Sequence, residues 1–516
     1  MSGSVAAPLA GARSLSPWVV AGVSAAAAAV LLGLSTLSGA FLVLACLGLA
    51  LGAVMLLTGQ PLRTLLCGYV LCAPIAISKA VATGAGVYAP ALELTLADLF
   101  LVAIVVVKAG DVVLRGRRPL AVEPGAGGFA RAVGLPAVLL FFGWAWVSAL
   151  HAPEPSHGLL AALNLTKYLG AFLVVARLVR TADDLRWVLV AAAAGLSLQV
   201  GMAALQFASG SMIVLPGIKT SSSATMGYNL SYAGGVSAFR PSGLLQHPVF
   251  LAGYLAVVLP VPVALMLVGP RRLGQRAWML CVALAAGGTV ALLLTLSRGG
   301  WLALAAAIGF LALTGLHLRL VSRLQLVLAV VLTLVGGAVT VAAYPQILHR
   351  ITGSDQRSAE SRMLMMEQAW SIIQRNPVLG VGMSGYVDAA RVHRPPSYAA
   401  LPPDFRETLS SGVVHNAYLV FWAERGIVGL ATALLVFGWF VRAFFRQRSW
   451  EDVVWQALAL GITAGVVGQL AMYFFDHGYL DSRPGVIWPA LGLLAAVLRL
   501  QPRADTTGAV PAGGAG

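Results

Sequence analysis

Apolar runs of about 20 residues, each closed by a short polar or arginine-bearing connection, recur along almost the whole chain, and that length is what an α-helix needs to cross bilayer hydrocarbon. About fourteen runs are counted, centred near residues 26, 48, 71, 99, 141, 168, 196, 258, 287, 309, 335, 430, 464 and 492. Those near 309 and 492 are the shortest. The pattern predicts an all-α polytopic membrane protein with about 12–14 transmembrane helices. It divides the chain into a leader over 1–16, helices 1–11 over 17–343 with a loop near 208–247, a long loop over 344–414, helices 12–14 over 415–502, and a disordered tail over 503–516.

The long loop carries its own helical pattern. In "ESRMLMMEQAWSIIQR", Met363, Met366, Ala369, Trp370 and Ile373 recur at helical spacing on one face, and Asn376–Pro377 followed by "LGVG" ends the helix. An amphipathic helix lying on a membrane surface is expected there. Beyond it, "RVHRPPSYAALPPDF" is Pro-rich and reads as a mobile lid.

Composition agrees with the periodicity: of 516 residues 59% are hydrophobic and 10% charged, with mean hydropathy +0.85, more apolar than a soluble domain can bury. The net charge of +15 would suggest nucleic acid in a soluble chain. Here the basic residues fall in short clusters between apolar runs, and no aromatic-interleaved basic patch accompanies them, so nucleic acid is not an expected partner.

Those clusters alternate along the chain. Arg63, then Lys108 to Arg131, Arg177 to Arg186, Arg271 to Arg276, Arg319 and Arg323, and Arg442 to Arg448 share one side, and the positive-inside rule makes that side, with both termini, cytoplasmic. The first apolar run flows directly into the second and reads as a retained anchor. Cys46, Cys67, Cys72 and Cys281 lie within apolar spans, implying neither a disulfide framework nor a metal site.

The opposite side collects polar residues at predicted helix ends. Arg240 and His247 flank the entry to the eighth span, Arg298 sits in the tight hairpin "TLSRGGW", Arg362 is on the loop helix, and His415 and Asn416 open the twelfth span. Arg298 is either a snorkelling arginine on lipid phosphate or one arm of a diphosphate clamp, which a planar five-donor group grips well. Beside arginines, a histidine is held neutral and available as a general base. Glu424, inside the same span, either pairs with an arginine or orients a neighbouring element. Asp98 and Lys167, both within predicted spans, are expected to pair with each other. Asp476, His477, Asp481 and Arg483 form a short loop whose spacing specifies nothing. No Walker motif, zinc-ligand array or nucleotide-binding glycine fingerprint is present, so no cofactor is expected.

Four stretches, "RPSGLLQHPVFLAGYLA" (240–256), "TLSRGGWLAL" (295–304), "SRMLMMEQAWSIIQRNPVLGVGMSGY" (361–386) and "HNAYLVFWAERGIVGL" (415–430), in this order, resemble the O-antigen ligase/polymerase family of membrane glycan transferases. The resemblance implies transfer of a glycan from undecaprenyl diphosphate to an acceptor hydroxyl, such as that of lipid A-core, on the periplasmic face of the bacterial inner membrane. It makes 344–414 a long periplasmic loop. Carried over by motif, Arg298 and Arg362, with Arg240, would hold the diphosphate. His415 would take the acceptor's proton in an inverting displacement, without a metal. Asn416, Glu424 and His247 would support them. The same motifs admit a polymerase that extends lipid-linked repeat units. A small-anion transporter lined by Arg298 and Arg362 is the reading from another class.

Overall fold

A computed structural model describes residues 58–84, 91–115, 134–213, 229–231, 237–245, 247–320, 344–352, 356–403, 412–447, 452–476 and 485–501, with a few isolated positions between them. The leader, the tail and the expected spans near 26, 48 and 335 lie outside the described residues.

The protein is all-α and polytopic. Its helices run α1 Pro61–Cys72, α2 Leu96–Arg115, α3 Leu135–Leu150, α4 Pro155–Leu178, α5 Ala182–Ser209, α6 Pro248–Val268, α7 Gln275–Leu294, α8 Arg298–His317, α9 Pro345–Thr352, α10 Gln356–Arg375, α11 Tyr386–Val392, α12 Ala417–Arg446, α13 Val453–Met472 and α14 Ile487–Leu500. Eleven of the fourteen expected spans fall on these helices, and among the described residues seven (α4 to α8, α12 and α13) are long and apolar enough to cross a membrane. Helices α1, α3 and α14 are apolar but shorter. α6 runs through Pro260 because Leu259 donates to the Leu255 carbonyl and Val263 to that of Leu259.

The core is built from small and aromatic side chains. Helix α13 passes through the centre, and its Gly461, Gly465 and Gly468 lie against the backbone of α6, an approach that a side chain would block. Around Trp488 of α14 the rings of Phe141, Phe142 and Phe437 stack at 4.8 to 6.4 Å.

The cluster of arginines at one end of the bundle is tied to helix ends. Arg63 pairs with Asp183 and Asp184 at the start of α5, and Arg499 donates to the last carbonyls of α4, Ala176 at 2.7 Å and Val179 at 2.6 Å, where a cation also offsets the helix dipole. Thr181 and Asp184 form a capping box that starts α5.

Two antiparallel hairpins, β1 Ser78–Thr83 with β2 Ala91–Thr95 and β3 Asn229–Ser231 with β4 Ser237–Phe239, were not legible in the apolar pattern. The first closes on the expected ion pair: Lys167 Nζ lies 2.9 Å from Asp98 Oδ2 and also donates to the Glu93 carbonyl. Asp98 stands in the first turn of α2 and not at mid-span, where its carboxylate also accepts from the Thr95 amide at 2.8 Å.

The segment 240–245 differs from an open loop. Pro241 to Leu245 are buried, and two fully buried glutamines of α5 serve their backbone groups. Gln206 Oε1 accepts from Ser242 N at 3.0 Å and Gly243 N at 2.9 Å, while Gln199 accepts from Leu244 N at 2.8 Å and donates to the Pro74 carbonyl at 2.5 Å. Irregular backbone inside an apolar bundle persists only when its polar groups are satisfied in this way.

The loop helix α10 forms as expected, but its sides are divided otherwise. Met365, Ala369, Ile372 and Ile373 are buried in a core shared with Val414, Val420 and Ala423, whereas Met363, Met366 and Trp370 are exposed. The face read from the sequence straddled these two surfaces because two apolar stripes, one inward and one outward, lie side by side. The Pro-rich segment beyond it is fastened to α10: Ser371 Oγ donates to the His393 carbonyl at 3.1 Å, and Ser397 Oγ to the Glu367 carboxylate at 3.1 Å.

Candidate anion site at three helix N-termini

Three of the singled-out motifs turn out to be helix caps. The side chains of His247, Ser297 and Asn416 accept from Val249 N, Gly300 N and Leu419 N and so open α6, α8 and α12. Each N-terminus carries the partial positive charge of its helix dipole.

Close contacts bring these ends together. Gly300 packs on Ala252 of α6, and Gly299 on Phe475, which follows the C-terminus of α13. From the other side of that C-terminus, the Tyr473 carbonyl accepts from Ala417 N at 2.8 Å and the Phe474 carbonyl from Asn416 Nδ2 at 3.5 Å. His247, Arg298, His415, Asn416 and Asp476 therefore share one end of the bundle, opposite the arginine cluster.

Charge around that end is positive. Arg240 is buried and donates from Nε to the Thr295 carbonyl at 2.7 Å, so it braces the turn that carries Arg298. Arg298 is half-buried and makes no hydrogen bond or ion pair with a described residue. Burial first, then the Arg240 charge, with a smaller push from His415 against the pull of Asp476, holds His247 down at about pH 4. Since its Nδ1 accepts from Val249 N at 3.2 Å, neutral His247 keeps its proton on Nε2.

His415 is exposed, between buried Val414 and the cap residue Asn416. Arg362, half-buried on α10, stands one turn before Met365, which packs in the same core as Val414. Arg240, His247, Arg298, His415 and Asn416 are thus brought together, and Arg362 flanks them.

Glu424 and Arg425 sit at a break in α12. Gly426 has φ 65° and ψ −176°, and residues 377–383 cross the gap as a strap. Val381 N donates to the Ala423 carbonyl at 2.9 Å, Gly382 N to that of Glu424 at 2.8 Å, and Ile427 N to that of Pro377 at 2.9 Å. Trp144 Nε1 takes the Arg425 carbonyl at 2.9 Å. Glu424 Oε1 accepts from the first amide of α11, Tyr386 N, at 3.4 Å, and the Arg425 guanidinium lies 4.4 Å over the Phe421 ring. Glu424 is buried nine residues along the chain from His415 and bonds to α11 and the strap.

Sequence reasoning passed over Gln199 and Gln206, although two glutamines seven residues apart in an apolar span form a readable polar stripe. It also passed over Arg350, whose Nε donates to the Leu296 carbonyl at 3.2 Å. Among the described residues, no three His, Cys, Asp or Glu side chains gather in a way that could hold a metal ion.

Fold and site together define a polytopic membrane protein with a basic, histidine-bearing cluster at one end of its helices. The resemblance to the O-antigen ligase family is borne out over residues 283–434, which match the model of that family. That match holds Arg298, Arg362, His415, Asn416 and Glu424, while Arg240 and His247 precede it. An O-antigen ligase of Salmonella typhimurium is 29% identical over 154 residues, 29% of this chain and 36% of that protein. An uncharacterized protein of Haemophilus influenzae is 21% identical over 215 residues, 39% of this chain and 52% of that protein. The chain thus spans about half or less of the length of the curated relatives it matches.

Proposed function

We propose that the protein is a membrane glycosyltransferase of the O-antigen ligase type, moving a glycan from undecaprenyl diphosphate to an acceptor hydroxyl of lipid A-core. The observation that carries this reading is Arg298: a half-buried guanidinium without a partner among the described residues, at a helix N-terminus, on a turn braced by Arg240, at the same end of the bundle as an exposed His415. A diphosphate is the ligand that such an arrangement stabilises best.

In the proposed reaction the acceptor oxygen attacks the anomeric carbon and forms the new glycosidic bond. The bond from that carbon to the diphosphate oxygen breaks, and its electron pair leaves with undecaprenyl diphosphate. His415 takes the hydroxyl proton. Arg298, with Arg240 and Arg362, stabilises the charge that grows on the leaving diphosphate, work that a metal does in other transferases. One displacement inverts the anomeric configuration. His247 stays neutral and donates from Nε2, and Glu424 fixes α11 and the strap.

The distribution of charge supports an orientation. Arg63, Arg177, Arg180, Arg271, Arg276, Arg319 and Arg442 lie at the end opposite the site, which favours a cytoplasmic position for that end and the termini and a periplasmic one for the site and the 344–414 segment.

The test is transfer by purified protein in liposomes given a lipid-diphosphate-linked glycan, with and without lipid A-core, with products read by mass spectrometry. One adduct that needs lipid A-core and disappears in His415→Ala supports the ligase. A ladder of lengthened lipid-linked glycan without that acceptor assigns a polymerase instead. Absence of either product from intact protein, across several donors, would overturn the reading.

A further inference from the structure

We propose that Arg350 is a positioning residue of this site: from α9 it holds the Leu296 carbonyl, and thereby the left-handed turn that aims Arg298. The inference rests on the functional reading only for what Arg298 binds; the mechanical part stands on geometry.

Leu296 is the key. Its φ is 51°, a left-handed conformation that is unfavourable for a residue with a side chain and persists only where surroundings enforce it. The turn has several restraints. Thr295 Oγ1 donates to the Leu292 carbonyl at 2.6 Å and accepts from Ser297 N at 3.3 Å, and the Thr295 carbonyl is taken by Arg240. These act on the residues either side of Leu296. On Leu296 itself the amide donates to the Leu293 carbonyl at 3.0 Å, and α9 adds two further groups from outside the turn.

Ile347 packs with the Leu296 side chain and Ala238 in a small core bordered by Leu293, Trp301 and Tyr344. Arg350, three residues later and so on the same face, takes the Leu296 carbonyl. One helical face thus grips both the side chain and the backbone of the strained residue. α9 is itself seated by Tyr344, which meets Phe207 of α5 edge-on at 5.3 Å. Two residues on from Leu296, Arg298 begins α8. A twist at Leu296 swings the Arg298 guanidinium, whose reach magnifies any rotation of the backbone. The first helix of the 344–414 segment therefore sets the aim of a bundle arginine, and docking of that helix and binding of the donor become coupled.

Hydrogen exchange tests the mechanical part without any assay of transfer. In the full-length protein in detergent, Arg350→Ala is expected to speed exchange about tenfold or more in peptides covering 293–301, whose amides at Leu296, Ser297, Gly300 and Trp301 are bonded within the turn, with peptides of α13 unchanged. Arg350→Lys, which keeps a donor for the carbonyl, should restore most of the protection. Exchange at 293–301 equal to wild type in Arg350→Ala would overturn the proposal.

Transfer kinetics test the coupling. Arg350→Ala should lower kcat/KM for the lipid-linked donor about tenfold, the scale of one misplaced binding group. In a Leu296→Asn background, where the left-handed conformation is tolerated, the same change should cost less than threefold. Equal losses in the two backgrounds would mean that Arg350 does not act through the turn. Failure of the wild-type protein to transfer would instead sink the functional reading and leave the exchange result to decide the role of Arg350.

Discussion

The amide of Gly382 donates to the Glu424 carbonyl at 2.8 Å, which joins the strap after α10 to a broken turn inside α12. The bond replaces one that α12 loses at Gly426, whose φ of 65° and ψ of −176° suit glycine alone. A Cβ at Gly426 would also collide with the Val378 carbonyl. Gly426→Ala is therefore expected to destabilise the protein by more than about 2 kcal/mol. Thermal unfolding in detergent should show the loss, and a melting point within a degree of wild type would count against the fit of the strap.

Arg298 makes no bond with a described residue, so its removal should leave folding intact. Arg298→Ala is expected to lower transfer at least a hundredfold with an unchanged melting point, and Arg298→Lys to recover part of it, because an ammonium keeps the charge but not the planar pair of donors. Wild-type transfer in Arg298→Ala would remove the diphosphate clamp from the mechanism.

His247 supplies a pH dependence with a definite sign. Its folded-state value of about 4 lies below the ordinary 6.5, so between those values the unfolded chain binds a proton that the folded one refuses. Stability from this group is present above pH 6.5 and falls as the pH drops toward 4, by on the order of 3 kcal/mol at most. His247→Asn keeps a capping acceptor and cannot titrate. The difference in melting point between the two proteins should narrow as the pH falls from 7 to 4.5; a constant difference would show that His247 is not held neutral.

The Asp98–Lys167 pair is partly buried, with side-chain exposures of 12% and 18%. Asp98→Asn or Lys167→Met alone leaves one charge without its partner and should cost about 3 kcal/mol. The double variant should recover a good part of that. A double-mutant cycle on unfolding midpoints reads the coupling, and strictly additive losses would mean that the pair does not interact.

Gln206→Leu strands the amides of Ser242 and Gly243 in an apolar setting, at about 1–3 kcal/mol each. Cleavage by protease within 237–247 should become faster than in wild type, and unaltered resistance would show that the segment is held by other means.

The spans were legible because a helix in lipid must be apolar along its whole length, a requirement that leaves a mark on every residue of the run. The polar helix ends were legible as well: His247, Arg298, His415 and Asn416 stand where apolar runs begin, though the capping by His247, Ser297 and Asn416 was not. The Asp98–Lys167 pair could be anticipated because isolated charges in apolar spans need partners. By contrast, the side of α10 that packs on the protein was not legible, since Met363 and Met365 are equally apolar and only the position of Val414 and Val420 selects between them. The two hairpins, short and mostly polar or small, carry no periodic signal long enough to read.

What the sequence determined by itself is the list of spans, their alternation of charge, and which basic and imidazole groups stand at helix ends; these follow from local rules about lipid, water and helix termini. The tertiary structure decided what no local rule reaches. It bent α12 open at Gly426 and closed the gap with a strap from forty-odd residues earlier, buried Pro241 to Leu245 against two glutamines, and set Arg350 on Leu296. Each of these joins groups far apart in the chain, and a hydrogen bond between distant residues depends on where packing brings them, which neighbouring residues do not encode.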